Sequence, residues 1–241
     1  MKNIFLTAIL FLSVKLLIAQ ANKESKNAEE RNEAYRAYRE KITTPPYGLQ
    51  KIKSLISHIK RDDEDNESLD EKKYLALSLR EKFTYNMIHP ESFSQNCDGA
   101  PNITNEQKKI FAHLPDAFGE YNWSEKQDSF FLDNKDSVIE WIKASILRTN
   151  RVGLNYKYII VSVNAKEMIP LLINTYKKDR KDHDILTVLM LLMQKNEYAD
   201  FMSSQSFRKL YFDDSNYWAY INYNSANEAL IIQRATDFIS K

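Results

Sequence analysis

The residues of this chain best suited to chemistry lie between His89 and His113. Cys97 is the sole cysteine. A thiol nucleophile needs a base beside it, and His89 and His113 flank Cys97 on either side. Glu91 and Asp98 supply carboxylates able to exchange a proton or orient an imidazole. The same segment contains acceptable metal ligands in His89, Glu91, Asp98 and His113. No His-Glu-x-x-His and no paired Cys-x-x-Cys spacing accompanies them, so neither a metal nor a cofactor is expected. Each residue also has a structural use. A free cysteine is commonly a small buried side chain, and no family signature surrounds Cys97. His89 precedes Pro90, where a helix must end, and can donate to the last helical carbonyls.

Two further groupings stand outside that segment. Asp182-His183-Asp184 reads as a solvated helix cap with His183 facing water. The C-terminal aromatic tract offers Tyr211, Tyr217, Trp218, Tyr220 and Tyr223 as binding candidates. Exposed aromatics beside Asn and Asp suit stacking on a sugar or contact with a protein partner. The competing use is packing beneath the last helix. Acidic residues are abundant, so no pair of carboxylates stands out for glycoside chemistry. Asn66-Glu67-Ser68, Asn102-Ile103-Thr104 and Asn122-Trp123-Ser124 match a glycosylation acceptor, but Ser68, Thr104 and Ser124 also fit as helix caps.

The elements that must position these residues read as helices. Between Asn164 and Asn196 a first helix carries Met168, Ile169, Leu172, Ile173 and Tyr176 at helical spacing. Asn164 and Glu167 form a candidate capping box, and Pro170 should bend that helix in its second turn. A charged turn, Lys177–Asp182, leads to a second helix. There Ile185–Met193 is apolar at every position but Thr187, so neighbours must cover it on several sides. At nine residues this run is far short of a membrane span, which needs roughly 20. Further capping boxes are expected at Ser68/Glu71, Thr104/Gln107, Ser124/Gln127 and Ser225/Glu228. Helices are expected over Leu49–Lys60, Leu69–Ile88 and Lys135–Arg148. Tyr156–Val163 is rich in β-branched residues, which favours a strand. A short buried helix is preferred, because no partner strand is visible elsewhere.

Gly is scarce, at 4 residues, which disfavours a hairpin-rich β fold. Lys2, the uncharged run Ile4–Val14 and Ala19-Gln20-Ala21 read as an export signal over residues 1–20, with Lys15 as an anomaly. Residues 21–46 form a polar helix or linker ending in Thr43-Thr44-Pro45-Pro46, and residues 47–241 a single all-helical domain. The whole chain has 34 basic and 33 acidic side chains. Loss of Lys2 and Lys15 with the signal leaves a net charge of −1. That balance offers no footprint for nucleic acid or an anionic membrane. With one cysteine there is no internal disulfide, so stability must come from the core. The expected location is the periplasm or the extracellular space, with no membrane span left after signal cleavage.

Lys135–Asn164 and Ala165–Asn196 share a layout: a helix, a polar turn, then a very apolar helix ending in Asn. Val138-Ile139-Glu140-Trp141-Ile142 sits 30 residues before Met168-Ile169-Pro170-Leu171-Leu172. With its inserted proline, its charged turn containing Asp182 and its second apolar helix, this unit resembles the HEAT-repeat class. The resemblance implies an irregular α-solenoid or helical-hairpin array, interrupted by a loop-rich insertion at Pro90–Asn134. Together with the export signal, the preferred expectation is an exported, non-enzymatic helical scaffold that binds a protein or peptide along a groove between helices. The alternative is a hydrolase or transferase using the His89–Asp98 loop.

Overall fold

A computed structural model of the chain describes residues 25–95, 101, 103–212 and 216–241. Helix dominates them. The first helix, α1, covers residues 25–39 and runs onto the core from the polar N-terminal segment. Helices α2 (Leu49–Ile56), α3 (Glu71–Leu75) and α4 (Leu79–Ile88) follow. The expected single helix Leu69–Ile88 is therefore two. Asp70, not Ser68, caps α3, its side chain accepting from the Lys73 amide at 3.2 Å. The chain restarts at Ser78, whose box with Glu81 is complete. Ile52, Leu69, Tyr74, Leu77 and Tyr85 close a small core of their own here.

The insertion is less helical than its caps implied. Thr104/Gln107 opens no helix to His113; a short turn at Glu106–Lys108 leads straight into a strand. The strands are β1 (Ser92–Phe93), β2 (Lys109–Phe111), β3 (Tyr121–Asn122) and β4 (Tyr220–Asn222), in two antiparallel pairs, β1 with β3 and β2 with β4. In the second pair Ile110 faces Ile221, both buried, and Phe111 meets Tyr220 edge-on. These ribbons are too short to give an alternating pattern, so the sequence carries no period-two signal for them.

Helices α5 (Glu125–Asp133) and α6 (Lys135–Thr149) follow, with the Ser124/Gln127 box present as expected. Tyr156–Val163 is helical, within α7 (Leu154–Ser162). Gly153, just before α7, is required by a close approach. A Cβ there would lie 2.4 Å from the Thr43 backbone nitrogen. The Asn155 amide locks the same contact, accepting from Thr43 N at 2.9 Å and donating to Thr43 O at 2.8 Å.

The hairpin singled out by its sequence is α8 (Ile169–Asp179) and α9 (His183–Lys195). The Asn164/Glu167 capping box does not form. Asn164 takes a left-handed conformation, and its side chain exchanges two hydrogen bonds with Asn196, at 3.1 and 2.7 Å. Pro170 lies in the opening turn of α8, where a missing N–H costs nothing, so it starts the helix and does not bend it. Helix α9 is the centre of the main core. Every residue from His183 to Met193 is buried except Leu191, which is half-buried. Around it pack α7, α8, β2, α10 (Ala199–Met202) and α12 (Ser225–Ser240). Helix α11 (Gln205–Tyr211) joins α10 to β4. Asn224, not Ser225, caps α12, accepting from the Asn227 amide at 2.9 Å. Among the described residues no helix is long and apolar enough to cross a membrane. The expected export signal, residues 1–20, lies outside the described residues.

Candidate functional site

The main unexpected feature is a line of six alternating charges leading inward from the surface of α1. Arg36 pairs with Glu106. Arg39 Nη1 stands 3.6 Å from the other Glu106 oxygen. Arg39 then grips Asp184, with Nη2 at 2.8 Å and Nε at 3.1 Å from both carboxylate oxygens. Lys157 Nζ lies 3.7 Å from Asp184 and 2.5 Å from Asp182. The Lys157 side chain is 0% exposed and that of Asp184 1%. Three cations thus meet three acids, and the line ties α1 to the Glu106 turn, to α7 and to the start of α9.

The electrostatics of the line follow from burial and pairing. Burial works to raise the Asp184 carboxyl, but Arg39 and Lys157 outweigh it and hold Asp184 below the usual aspartate range. Asp182 goes the other way: burial raises it, and Lys157 offsets only part of the rise. Burial also lowers His183, whose ring stacks on Tyr223 at 3.8 Å. Tyr35, beside this cluster, is pushed far above the ordinary tyrosine value by burial and then by Asp184. Asp182-His183-Asp184 is therefore no solvated cap. Asp182 stands at the cap position of α9 without capping it, because its carboxylate is spent on Lys157.

The outer members of that line, Arg36, Arg39 and Glu106, border a cleft of about 540 Å³. Arg36 and Arg39 of α1, with Glu40 just beyond it, stand on one side. Pro101, Ile103, Glu106, Pro115, Asp116 and Gly119, all from the insertion, stand on another, and Trp218 of the aromatic tract completes it. The guanidinium of Arg39 also lies over the Phe111 ring, 4.4 Å from its centre. Glu106 is held from behind as well: its amide donates to Asn32 Oδ1 at 3.0 Å, and Asn32 donates to Ile103 O. The charged wall is thus fixed before any ligand arrives, which lowers the ordering cost of binding.

Of the residues expected to carry chemistry, His113 keeps different partners from His89 and Glu91. Glu91 is buried, and its carboxylate accepts from Tyr85 Oη, Ser124 Oγ and Lys126 Nζ, each at 2.8 Å. His89 ends α4, and its Nε2 sits 2.7 Å from Glu67 O. The Glu91 side chain thus ties the insertion to α4, while His89 ties the end of α4 to the loop before α3. Cys97 and Asp98 lie outside the described residues. His113 stands elsewhere, stacked on Tyr217 at 4.9 Å in an apolar slot of about 290 Å³ that also includes Tyr158 and Leu191. Burial lowers its pKa.

The aromatic candidates divide. Tyr211 donates to Ala112 O at 2.9 Å, and Tyr220 lies under Lys109 Nζ at 3.9 Å, so both support β2. Tyr217 is 48% exposed at the His113 slot. Trp218 faces the large cleft, and Tyr223 lines a third one of about 390 Å³ with Tyr35, Tyr38 and His183. Sequence reasoning missed Arg36, Arg39, Glu106 and Lys157, and read Asp182 and Asp184 as a solvated cap. One signal was available: Lys157 is the only charge in the apolar run Tyr156–Val163, and a buried lysine demands a carboxylate partner.

No protein-family model, no curated protein and no solved structure matches the chain.

Proposed function

We propose that this is an exported, non-enzymatic binding protein, and that a peptide segment of its partner seats in the cleft between α1, the insertion and Trp218. The observation that carries the reading is the cleft itself, whose charged wall is fixed by buried ion pairs. Its volume falls in the range of clefts that enclose a ligand. Its polar groups can meet peptide amides, and a tryptophan at its edge is the kind of residue that concentrates binding energy. The two parts of the chain least committed to helices, the insertion and the aromatic tract, meet here. The structural engagement of His89 and Glu91 also favours binding over catalysis. In this reading the α6–α7 and α8–α9 hairpins are the HEAT-like unit, kept as the rigid frame behind the cleft.

Selection of short random peptides on the immobilised protein tests the proposal. Peptides that bind the native protein are expected to lose roughly thirtyfold in affinity against Trp218→Ala, the equivalent of about 2 kcal/mol for a hot-spot aromatic. Recovered peptides that bind Trp218→Ala as well as the native protein would place the binding surface elsewhere.

A further inference from the structure

We infer that the third cleft, of about 390 Å³, is a site for a small hydroxylated carboxylic acid built on a six-membered ring, either a sugar acid or a phenolic acid. It shares no lining residue with the cleft assigned to the peptide, so the inference does not depend on that reading.

Its aromatic lining is fixed by the fold. Tyr35 and Tyr38, three residues apart on α1, share a helical face and both line the cleft. His183, the first residue of α9, and Tyr223, just after β4, line it with them. The rings of His183 and Tyr223 stack with centres 3.8 Å apart, and Tyr35 is tilted against His183 at 5.8 Å. The Tyr223 amide donates to Lys108 O at 2.8 Å, which holds Tyr223 next to the short turn that carries Gln107.

Two independent observations point to what this aromatic surface receives. The first is an orphaned acceptor. Gln107 Oε1 is buried and has no hydrogen-bond partner among the described residues. An unpaired buried oxygen costs free energy, and native structures keep few of them. Gln107 lines the cleft, so rotation of its amide presents that oxygen to a hydroxyl of the ligand.

The second observation is charge. Among the described residues the charged members of the lining are Arg180 and Lys181, with no acid. The Lys181 ammonium is in no ion pair there, and its residue is exposed. Arg180 is 62% exposed, and its Nε stands 3.6 Å from Glu228, beyond hydrogen-bond length. The nearest acids are engaged elsewhere. Glu228 accepts from Tyr223 Oη at 3.3 Å, and Asp179 accepts from the Lys181 amide at 3.0 Å. A ring acid meets all three features together. Its ring lies against tyrosine, its hydroxyl donates to Gln107, and its carboxylate pairs with Lys181 and Arg180. An inorganic anion would leave the rings and Gln107 unused.

NMR titration of the native protein with glucuronate, 4-hydroxybenzoate, glucose, phenol and inorganic phosphate tests the inference. One of the two acids is expected to saturate at millimolar concentration, and which one does so identifies the source of the ligand. Its neutral counterpart, glucose or phenol, should bind about tenfold more weakly. Lys181→Gln, at an exposed residue, should weaken the acid about fivefold. Gln107→Leu should weaken it by a similar factor and leave the melting temperature unchanged or higher, because it removes an unpaired buried oxygen. Binding of neither acid, equal binding of acid and neutral counterpart, or an affinity unmoved by both substitutions would overturn the inference. Phosphate binding as tightly as the acid would reduce the site to a patch of surface cations and overturn it too.

Discussion

Replacing Asp184 by alanine is expected to destabilise the protein by about 3–5 kcal/mol, a large part of the ~5–15 kcal/mol that holds a typical domain together. The substitution removes the carboxylate that accepts from Arg39 through Nε and Nη2 and lies 3.7 Å from Lys157. Both cations then stay buried with one acid fewer between them. The instructive control is the double variant Arg39→Met/Asp184→Leu. It removes one cation with its acid and leaves the 2.5 Å pair between Lys157 and Asp182 in place. It should therefore be more stable than Asp184→Ala alone, since an apolar replacement of a buried pair is often close to neutral. Urea unfolding of the three proteins decides the point. A loss below about 1 kcal/mol for Asp184→Ala would mean that the line of charges is not a structural tie. Acid should expose the same term. Because the folded Asp184 is held below its ordinary pKa, its contribution is present above the unfolded value of about 4. It is lost as pH falls from there through the folded value. Asp182, raised by burial, acts oppositely: its ionisation in the folded protein costs stability as pH rises.

Leu189→Ala is expected to cost about 2–5 kcal/mol, while Leu191→Ala two residues away should cost about 1 kcal/mol or less. Leu189 is fully buried in the middle of α9, surrounded by the helices that wrap it, so its truncation leaves a cavity. Leu191 is half-buried and borders the His113 slot, where solvent or side chains can fill the space. Similar losses for the two variants, read from urea midpoints, would contradict the placement of α9 as the covered centre of the core.

The difference between these two sites marks where the sequence was readable. Ile185–Met193 could be assigned to a covered helix because nearly every position is apolar, and burial on all sides is the only stable outcome for such a helix. Tyr156–Val163 was harder, since β-branched residues suit either state; its helix is decided by packing against α4 and α9. The ribbons of β2 and β4 were invisible because three residues per strand carry no periodicity, and their partners lie more than 100 residues apart. Ser68 and Thr104 misled for a related reason. A capping residue marks where a helix can begin, and tertiary contacts choose among the candidates. The charges failed most instructively. Arg39, Asp182 and Asp184 look like solvated surface when taken singly, because each needs partners 25 to 145 residues away to be buried. Trp218 and the insertion were both marked as places for function, but their meeting at one cleft depends on α1, which its polar sequence marked only as a helix or linker.

The most direct measurement of the central claim is amide hydrogen exchange with and without a selected peptide. Binding in the cleft should slow exchange at residues 36–40, 103–106, 115–119 and 216–218 together, with α8 and the end of α12 unchanged. Protection confined to other surfaces, such as the one formed by Pro170 and Phe238, with those four segments unaffected, would contradict it.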